Sequence, residues 1–265
     1  MLTLNLTIGI HQYEASYSKS ENLSLMSSII KRSDAYLDVF PEYFMGVSKE
    51  GFNPGYVKTL AEPLEGEYAS TIIKLSKELK KAILFPMYLK ENNKIFNVIA
   101  LAEKGLVRGI YRKMHLFDAF GYRESAIFSR GDKPVIIGIK DFRIGLAVCF
   151  DLRFPELFRY MAYRGADLFI VPSAWFRGEY KLEQWYSLTV SRAHENTAFL
   201  IAVNQTGTLF TGHSLVASPL GYVKINLGEE KISYTLRIDK SELEKARKLI
   251  PVITLARSRH SITLN

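Results

Sequence analysis

The segment Ile144-Gly145-Leu146-Ala147-Val148-Cys149-Phe150-Asp151-Leu152-Arg153-Phe154-Pro155-Glu156 restricts the fold more than any other part of the chain. It opens as an apolar, partly β-branched run, the pattern of a buried strand. The run ends at Cys149, the single cysteine of the sequence, and Pro155 with Glu156 then announces a helix. Proline suits the first helical position, where its missing N–H has no partner to lose, and a glutamate complements the positive end of the helix dipole. A strand, a sharp turn and a helix start therefore meet around one sulfur. On this stretch alone two readings stay open. A cysteine closing an apolar strand is often a small buried hydrophobe. At a helix N-terminus or beside a cation its pKa falls, which makes it a nucleophile.

The rest of the chain alternates in the same way. Leu2, Leu4, Leu6 and Ile8 predict a strand buried on one face; Leu23, Met26 and Ile30 predict a helix. A strand over 35–40 is stopped by Pro41-Glu42, and a Gly/Pro loop spans Gly51 to Gly55. Ile72, Leu75 and Leu79 mark a further helix, followed by a meander over 82–89, 95–101 and 109–111 that turns at Asn92-Asn93. Strands over 135–139 and 144–148 form another hairpin. Beyond the cysteine come a helix around Leu157 and Met161, a strand over 166–171, and a helix with Leu182, Tyr186, Val190 and Ala193 on one face. Strands follow through Ile238, and Ser241-x-x-Glu244 predicts a capping box opening a last helix before an irregular basic tail. Strand–helix alternation interrupted by hairpins predicts layers, with sheet inside and helices outside. No linker or repeat divides the chain, so residues 1–265 are expected to form one domain.

Composition narrows the function. The net charge of +8 is scattered without a block of like charges, so no nucleic-acid partner is expected. One cysteine excludes a disulfide framework and a cysteine-rich zinc site, and a free thiol suits a reducing compartment, so a cytoplasmic location is expected. Met1 to Ile10 reads as a strand and not as a signal peptide, and no apolar run is long enough to span a membrane.

A cysteine hydrolase needs a base for the thiol and a donor for the developing oxyanion. None of the five histidines sits in a cysteine-protease context. Glu42, directly after an apolar strand and flanked by aromatics, and Lys113, closing the strand Tyr111-Arg112-Lys113, are the other candidates. A carboxylate in an apolar setting is costly unless used or paired. Glu42, Lys113 and Cys149 each end a strand and so are able to converge at one sheet edge.

Three segments carry a resemblance: Phe40-Pro41-Glu42-Tyr43-Phe44, Tyr111-Arg112-Lys113-Met114-His115-Leu116-Phe117-Asp118, and Gly145 to Glu156. They closely resemble the three catalytic blocks of the nitrilase (carbon–nitrogen hydrolase) superfamily, with the Cys149-Phe150-Asp151 sequence similar to its Nit-type amidase, ω-amidase-like branch. Secondary matches at Gln12, Asn22, Arg123-Glu124-Ser125 with Gly131, Arg192-Ala193, Asn204 to Gly207 and Gly212-His213-Ser214 extend it over most of the chain.

The resemblance implies a four-layer αββα sandwich in which Glu42, Lys113 and Cys149 form a catalytic triad with Glu124 as an additional active-site glutamate. Glu42 is implied as general base, Cys149 as nucleophile forming a thioester, and Lys113 with the backbone N–H of Phe150 as oxyanion donors. Glu124 is implied to position Lys113 and the substrate nitrogen. The implied substrate is a small linear amide, cleaved with release of ammonia and without metal or organic cofactor. Arg153, Trp175 and Trp185 are candidates for substrate contact, Arg153 having the alternative of pairing with Asp151 or another acid. A homodimer or higher homo-oligomer is implied, with Leu157, Phe158, Met161 and Ala162 serving core and interface. Two departures bear on substrate: Gln184-Trp185 stands where relatives often have His-Trp, and Trp175 to Lys181 matches nothing specific. Hydrolysis of an N-carbamoyl compound by the same triad is the alternative activity, and a catalytically silent binding subunit the alternative class.

Overall fold

A computed structural model describes residues 5–48 and 53–264. Its elements run β1 (Asn5–Gln12), α1 (Lys19–Arg32), β2 (Leu37–Val39), α2 (Pro54–Leu60), α3 (Glu67–Glu78), β3 (Ala82–Glu91), β4 (Lys94–Glu103) and β5 (Leu106–Arg112). The second half continues with β6 (Val135–Ile139), β7 (Phe142–Leu146), α4 (Pro155–Tyr163), β8 (Leu168–Ser173), α5 (Lys181–His194) and β9 (Phe199–Asn204). It closes with β10 (Leu215–Ala217), β11 (Val223–Asn226), β12 (Ile232–Asp239), α6 (Lys240–Leu249) and α7 (Val252–Arg257).

The strands form two six-stranded sheets, ordered β12-β1-β2-β3-β4-β5 and β11-β10-β9-β8-β7-β6. Each has a parallel centre, β1-β2-β3 in one and β7-β8-β9 in the other, and antiparallel flanks. Side-chain alternation assigns each strand face to a layer. On β4, Ile99 and Leu101 enter the core shared by the two sheets, whereas Val98, Ala100 and Ala102 pack beneath Met26 and Ile30 of α1 and Tyr68 and Ile72 of α3. On the far side α4 lies on β7, and α5 lies on β9 and β10. The result is the expected αββα order.

Gly145 sets how closely α4 approaches. A Cβ there would come within 2.8 Å of the Met161 sulfur and 3.0 Å of the Phe169 ring. The strand keeps a glycine because helix and neighbouring strand occupy the space a side chain needs.

Several boundaries differ from expectation. The strand before the cysteine is Phe142–Leu146, not 144–148, and β2 is shorter than 35–40. The last helices are organised differently: Asp239, not Ser241, caps α6 by accepting from the Ser241 N–H at 2.8 Å, and the tail contains α7. On α5 the fully buried face carries Trp185, Thr189, Arg192 and Ala193, while Leu182, Tyr186 and Val190 are only half-buried. Leu157, Phe158, Met161 and Ala162 are all in the core, which removes them from any surface through which a second copy docks. Leu2, Leu4 and Gly51 lie outside the described residues. Among the described residues no helix is long and apolar enough to cross a membrane.

The close packing at Gly145 predicts that Gly145→Val lowers stability by about 2 kcal/mol through overpacking, read as a lower urea midpoint with an unchanged m-value.

Candidate active site

All the site residues leave from one end of the two sheets. Glu42 follows β2, Lys113 follows β5, Cys149 follows β7 and Ala174 follows β8. In open α/β sheets this carboxyl edge of the parallel strands is where ligands are held.

After β7 the backbone stays extended through Val148 and then turns sharply, with Cys149 at φ +45° opening a 3-10 turn over Cys149–Arg153. A positive φ at a non-glycine residue is strained and persists only when its surroundings enforce it. Asp151 does so. It is completely buried, and its carboxylate accepts from the Val148 N–H (2.8 Å), the Tyr111 hydroxyl (2.8 Å), the His115 N–H (3.1 Å) and His115 Nδ1 (2.7 Å). Three of these four donors, on Tyr111 and His115, lie at or just beyond the end of β5, so one carboxylate ties the lysine-bearing segment of one sheet to the cysteine turn of the other. From the α5 side, Arg192 Nε donates to the Leu152 carbonyl at 2.9 Å. Gly131 adds a close approach: a Cβ there would sit 2.1 Å from the Arg112 carbonyl oxygen.

Glu42, Lys113 and Glu124 form a buried ion cluster. Lys113 Nζ lies 2.8 Å from Glu42 Oε1 and 2.9 Å from Glu124 Oε2, with all three side chains at most 1% exposed. Glu42 Oε1 also accepts from Asn97 Nδ2 (2.7 Å), and Oε2 accepts from the Ala174 N–H (3.0 Å); the Glu42 side chain faces the Cys149 thiol. Both Glu124 oxygens are occupied as well. Oε1 accepts from the Tyr43 hydroxyl (2.7 Å) and Asn97 Nδ2 (2.9 Å), and Oε2 from the Phe117 N–H (2.6 Å) as well as Lys113.

Burial pushes the Glu42 carboxyl above its ordinary range; Lys113 pulls it back and Glu124 pushes it further up. For Lys113 burial alone would favour the neutral amine, but Glu124 and Glu42 together outweigh it and hold the ammonium protonated. The Cys149 thiol is pushed well above its usual value by burial and by the Glu42 charge. The lowered thiol pKa expected from a helix start is therefore not found, because the low-dielectric surroundings and the facing carboxylate outweigh the lysine. A thiol in this state needs a base at the moment of attack, and Glu42 is the group in contact with it.

These groups open into a pocket of about 340 Å³. Glu42, Lys113 and Cys149 line it together with Tyr43, Phe117, Phe150, Trp175 and Phe176. Arg153 and Lys181 line it too. The Arg153 guanidinium lies 5.0 Å from the Trp175 ring and donates to Gln184 Oε1 at 2.7 Å, while its Nε is buried without a partner. Asp151 is committed elsewhere, so the expected alternative of an Arg153–Asp151 pair is not formed. Lys181 Nζ sits 3.3 Å from the centroid of the Phe120 ring. Neither cation has an ion-pair partner among the described residues, and burial pulls both pKa values down, with Arg153 adding to the effect on Lys181. Two of the residues named from sequence stand behind the lining instead. Trp185 is fully buried, donates to the His213 carbonyl at 2.8 Å and packs against Trp175. Glu124 is fully buried behind Lys113.

Sequence reasoning missed Asn97, and it gave no individual site role to Tyr43 and Asp151, which fall inside the resembling blocks, or to Lys181, which ends the Trp175 to Lys181 stretch. Asn97 reads as one polar break in an apolar strand, and Lys181 as a surface lysine at a loop end; neither carries a local signal. Among the described residues no cluster of His, Cys, Asp or Glu is arranged to hold a metal ion.

With this geometry in place, comparison with known proteins is decisive. The sequence model of the carbon-nitrogen hydrolase family matches residues 7–248. The chain belongs to that family. It is similar to the 2-oxoglutaramate amidase of Bacillus subtilis, 30% identical over 93% of this chain and 95% of that protein. The fold is similar to a carbon-nitrogen hydrolase superfamily protein of Xanthomonas campestris with an arsenic adduct in its active site, at a TM-score of 0.88 and 26% identity over 98% and 99% of the two chains. It is also similar to an amidase from Nesterenkonia, described with acrylamide added to its active-site cysteine, at a TM-score of 0.78 and 26% identity over 96% and 99%.

The ion cluster yields a stability prediction with a definite sign. Lys113→Met leaves two buried carboxylates facing each other without a cation, which raises their folded-state pKa values above those of the unfolded chain. Stability of the variant is then retained below about pH 4, the unfolded carboxylate range, and lost as pH rises through the folded values. Relative to the native chain, the deficit grows to about 3 kcal/mol near neutrality, measured by urea denaturation across pH.

Proposed function

We propose that the chain is an amidase in which Glu42, Lys113 and Cys149 form the catalytic triad, and that its substrate is a small linear amide bearing a carboxylate. The observation that carries this reading is the contact of one thiol, one carboxylate and one buried ammonium inside a single pocket.

Cys149 Sγ attacks the amide carbon while its proton passes to Glu42, whose raised pKa suits a base that must also release the proton. The oxyanion is stabilised by Lys113 Nζ and by the Phe150 N–H, which lies in the first turn of a short helix where amides lack intrahelical acceptors. Glu42 returns the proton to the nitrogen, ammonia departs, and the acyl group remains on sulfur as a thioester. Glu42 then takes a proton from water as its oxygen attacks the thioester carbon; the intermediate collapses to the acid, the C–S bond breaks, and Glu42 returns the proton to the Cys149 sulfur. Glu124, with both oxygens occupied, acts by holding Lys113 in place. No step requires a metal or organic cofactor, and the chain acts as one domain, in a reducing compartment such as the cytoplasm.

Arg153 and Lys181 support the carboxylate refinement. Two cations held against aromatic rings, with no counter-ion among the described residues, gain most from an anionic ligand, and the Bacillus relative is named for an amide that also carries a carboxylate. Association into a dimer remains part of the proposal, through surface outside the buried Leu157–Ala162 face.

The test is ammonia release from succinamate, butyramide, butyronitrile and an N-carbamoyl amino acid. Succinamate is expected to be turned over fastest, Cys149→Ala to lose at least a thousandfold in rate, and acid quenching to trap an acyl adduct visible by intact mass. Near-native turnover by Cys149→Ala overturns the mechanism; carbamoyl amino acid as the best substrate moves the activity to the alternative. Arg153→Met and Lys181→Met are each expected to raise KM for succinamate about tenfold with little change for butyramide. Equal effects on both amides would remove the carboxylate anchor alone.

A further inference from the structure

The two carboxylates beside Lys113 are bridged by a side chain that carries no charge. Asn97 is 1% exposed on β4, on the inward face that continues the row of Ile99 and Leu101. Its Nδ2 donates one hydrogen to Glu42 Oε1 at 2.7 Å and the other to Glu124 Oε1 at 2.9 Å. Its backbone carbonyl accepts from the Lys113 N–H at 2.9 Å. One residue thus touches all three members of the ion cluster.

The orientation of the amide is settled by chemistry. Turned over, its carbonyl would face two carboxylate oxygens, so the NH₂ group must point at them. The price of this orientation is visible, since Asn97 Oδ1 is buried without a partner among the described residues. A leucine would fill the same space without that cost, so packing does not account for an asparagine here. The position is instead suited to two hydrogen-bond donors and no charge. A second lysine would neutralise Glu42 further and weaken it as a base. An aspartate would add a third negative charge.

We infer that Asn97 is a positioning residue for the reaction, fixing the spacing of Glu42 and Glu124 by donating to both carboxylates. The inference rests on the reading of Glu42 as general base. The other titratable groups facing Glu42 are Lys113, Glu124 and Cys149, with Tyr43 and Tyr88 close enough to feel its charge. Lys113 favours the ionised carboxylate, Glu124 opposes it, and both tyrosines stay protonated because burial pushes their pKa values well up. Asn97 favours the ionised form through a hydrogen bond and introduces no charge of its own.

The experiment reads the pH dependence of Cys149 alkylation by iodoacetamide, which reports activation of the thiol without requiring the natural substrate. In the native chain the acid limb follows ionisation of Glu42, and Glu42→Gln should abolish it. Asn97→Leu removes a donor to the ionised form, so the folded-state pKa of Glu42 rises and the acid limb moves up by about one pH unit. Asn97→Ser, retaining one hydroxyl donor, should fall between the two and carries the test where the leucine variant fails to fold. On the best amide, kcat should fall about tenfold or more in Asn97→Leu with KM changed less than threefold. A folded Asn97→Leu or Asn97→Ser protein with the native acid limb overturns the inference about Asn97 while leaving the triad intact. A Glu42→Gln protein with the native acid limb overturns both.

Discussion

The site depends on one ammonium group placed between two carboxylates, all three side chains at most 1% exposed. Three ionised groups in a medium of low dielectric would be prohibitively costly one by one. Together they are stable because each oxygen of the two carboxylates has a protein donor: Lys113, Asn97 and the Ala174 N–H around Glu42, and Lys113, Asn97, Tyr43 and the Phe117 N–H around Glu124. The surplus negative charge keeps Lys113 protonated, and the burial that makes the cluster costly also makes Glu42 a better base. Stability and chemistry have the same origin here.

Construction of the cluster explains the architecture. Lys113 and Asn97 come from the sheet that carries β4 and β5, Cys149 and Ala174 from the sheet that carries β7 and β8. Asp151 fastens the two at the pocket's edge by accepting from Val148 on one side and from Tyr111 and His115 on the other. The hydrophobic layer between the sheets therefore sets the distance between the Cys149 thiol and the Lys113 ammonium, and a shift in sheet packing would be felt directly at the sulfur.

Much of this was legible in the sequence where a residue's role follows from its place on the chain. Cys149 ends a strand and precedes Pro155, Glu42 follows an apolar strand, and Lys113 closes another; local pattern located all three, and the family resemblance joined them. What was not legible depends on pairing across the fold. Nothing near Asn97 shows that its amide meets two carboxylates from distant segments, and nothing near Lys181 shows that it lacks a counter-ion. The thiol's pKa is another such property: a helix start argues for a lowered value, but burial and the facing Glu42, both tertiary, decide the direction. The capping box at Ser241 failed for a simpler reason, since Asp239 two residues earlier competes for the same N–H and is better placed.

The thiol held protonated by its surroundings has a consequence for the life of the protein in the cell. Peroxides and disulfides react with thiolate, not with thiol. Cys149 is buried, faces a carboxylate and carries its proton at rest, so oxidants meet it in its least reactive form. In the proposed mechanism the thiol reacts only as its proton passes to Glu42, so reactivity depends on that carboxylate. A buried thiol with a raised pKa is a slower target for the oxidation ladder than an exposed, ionised one.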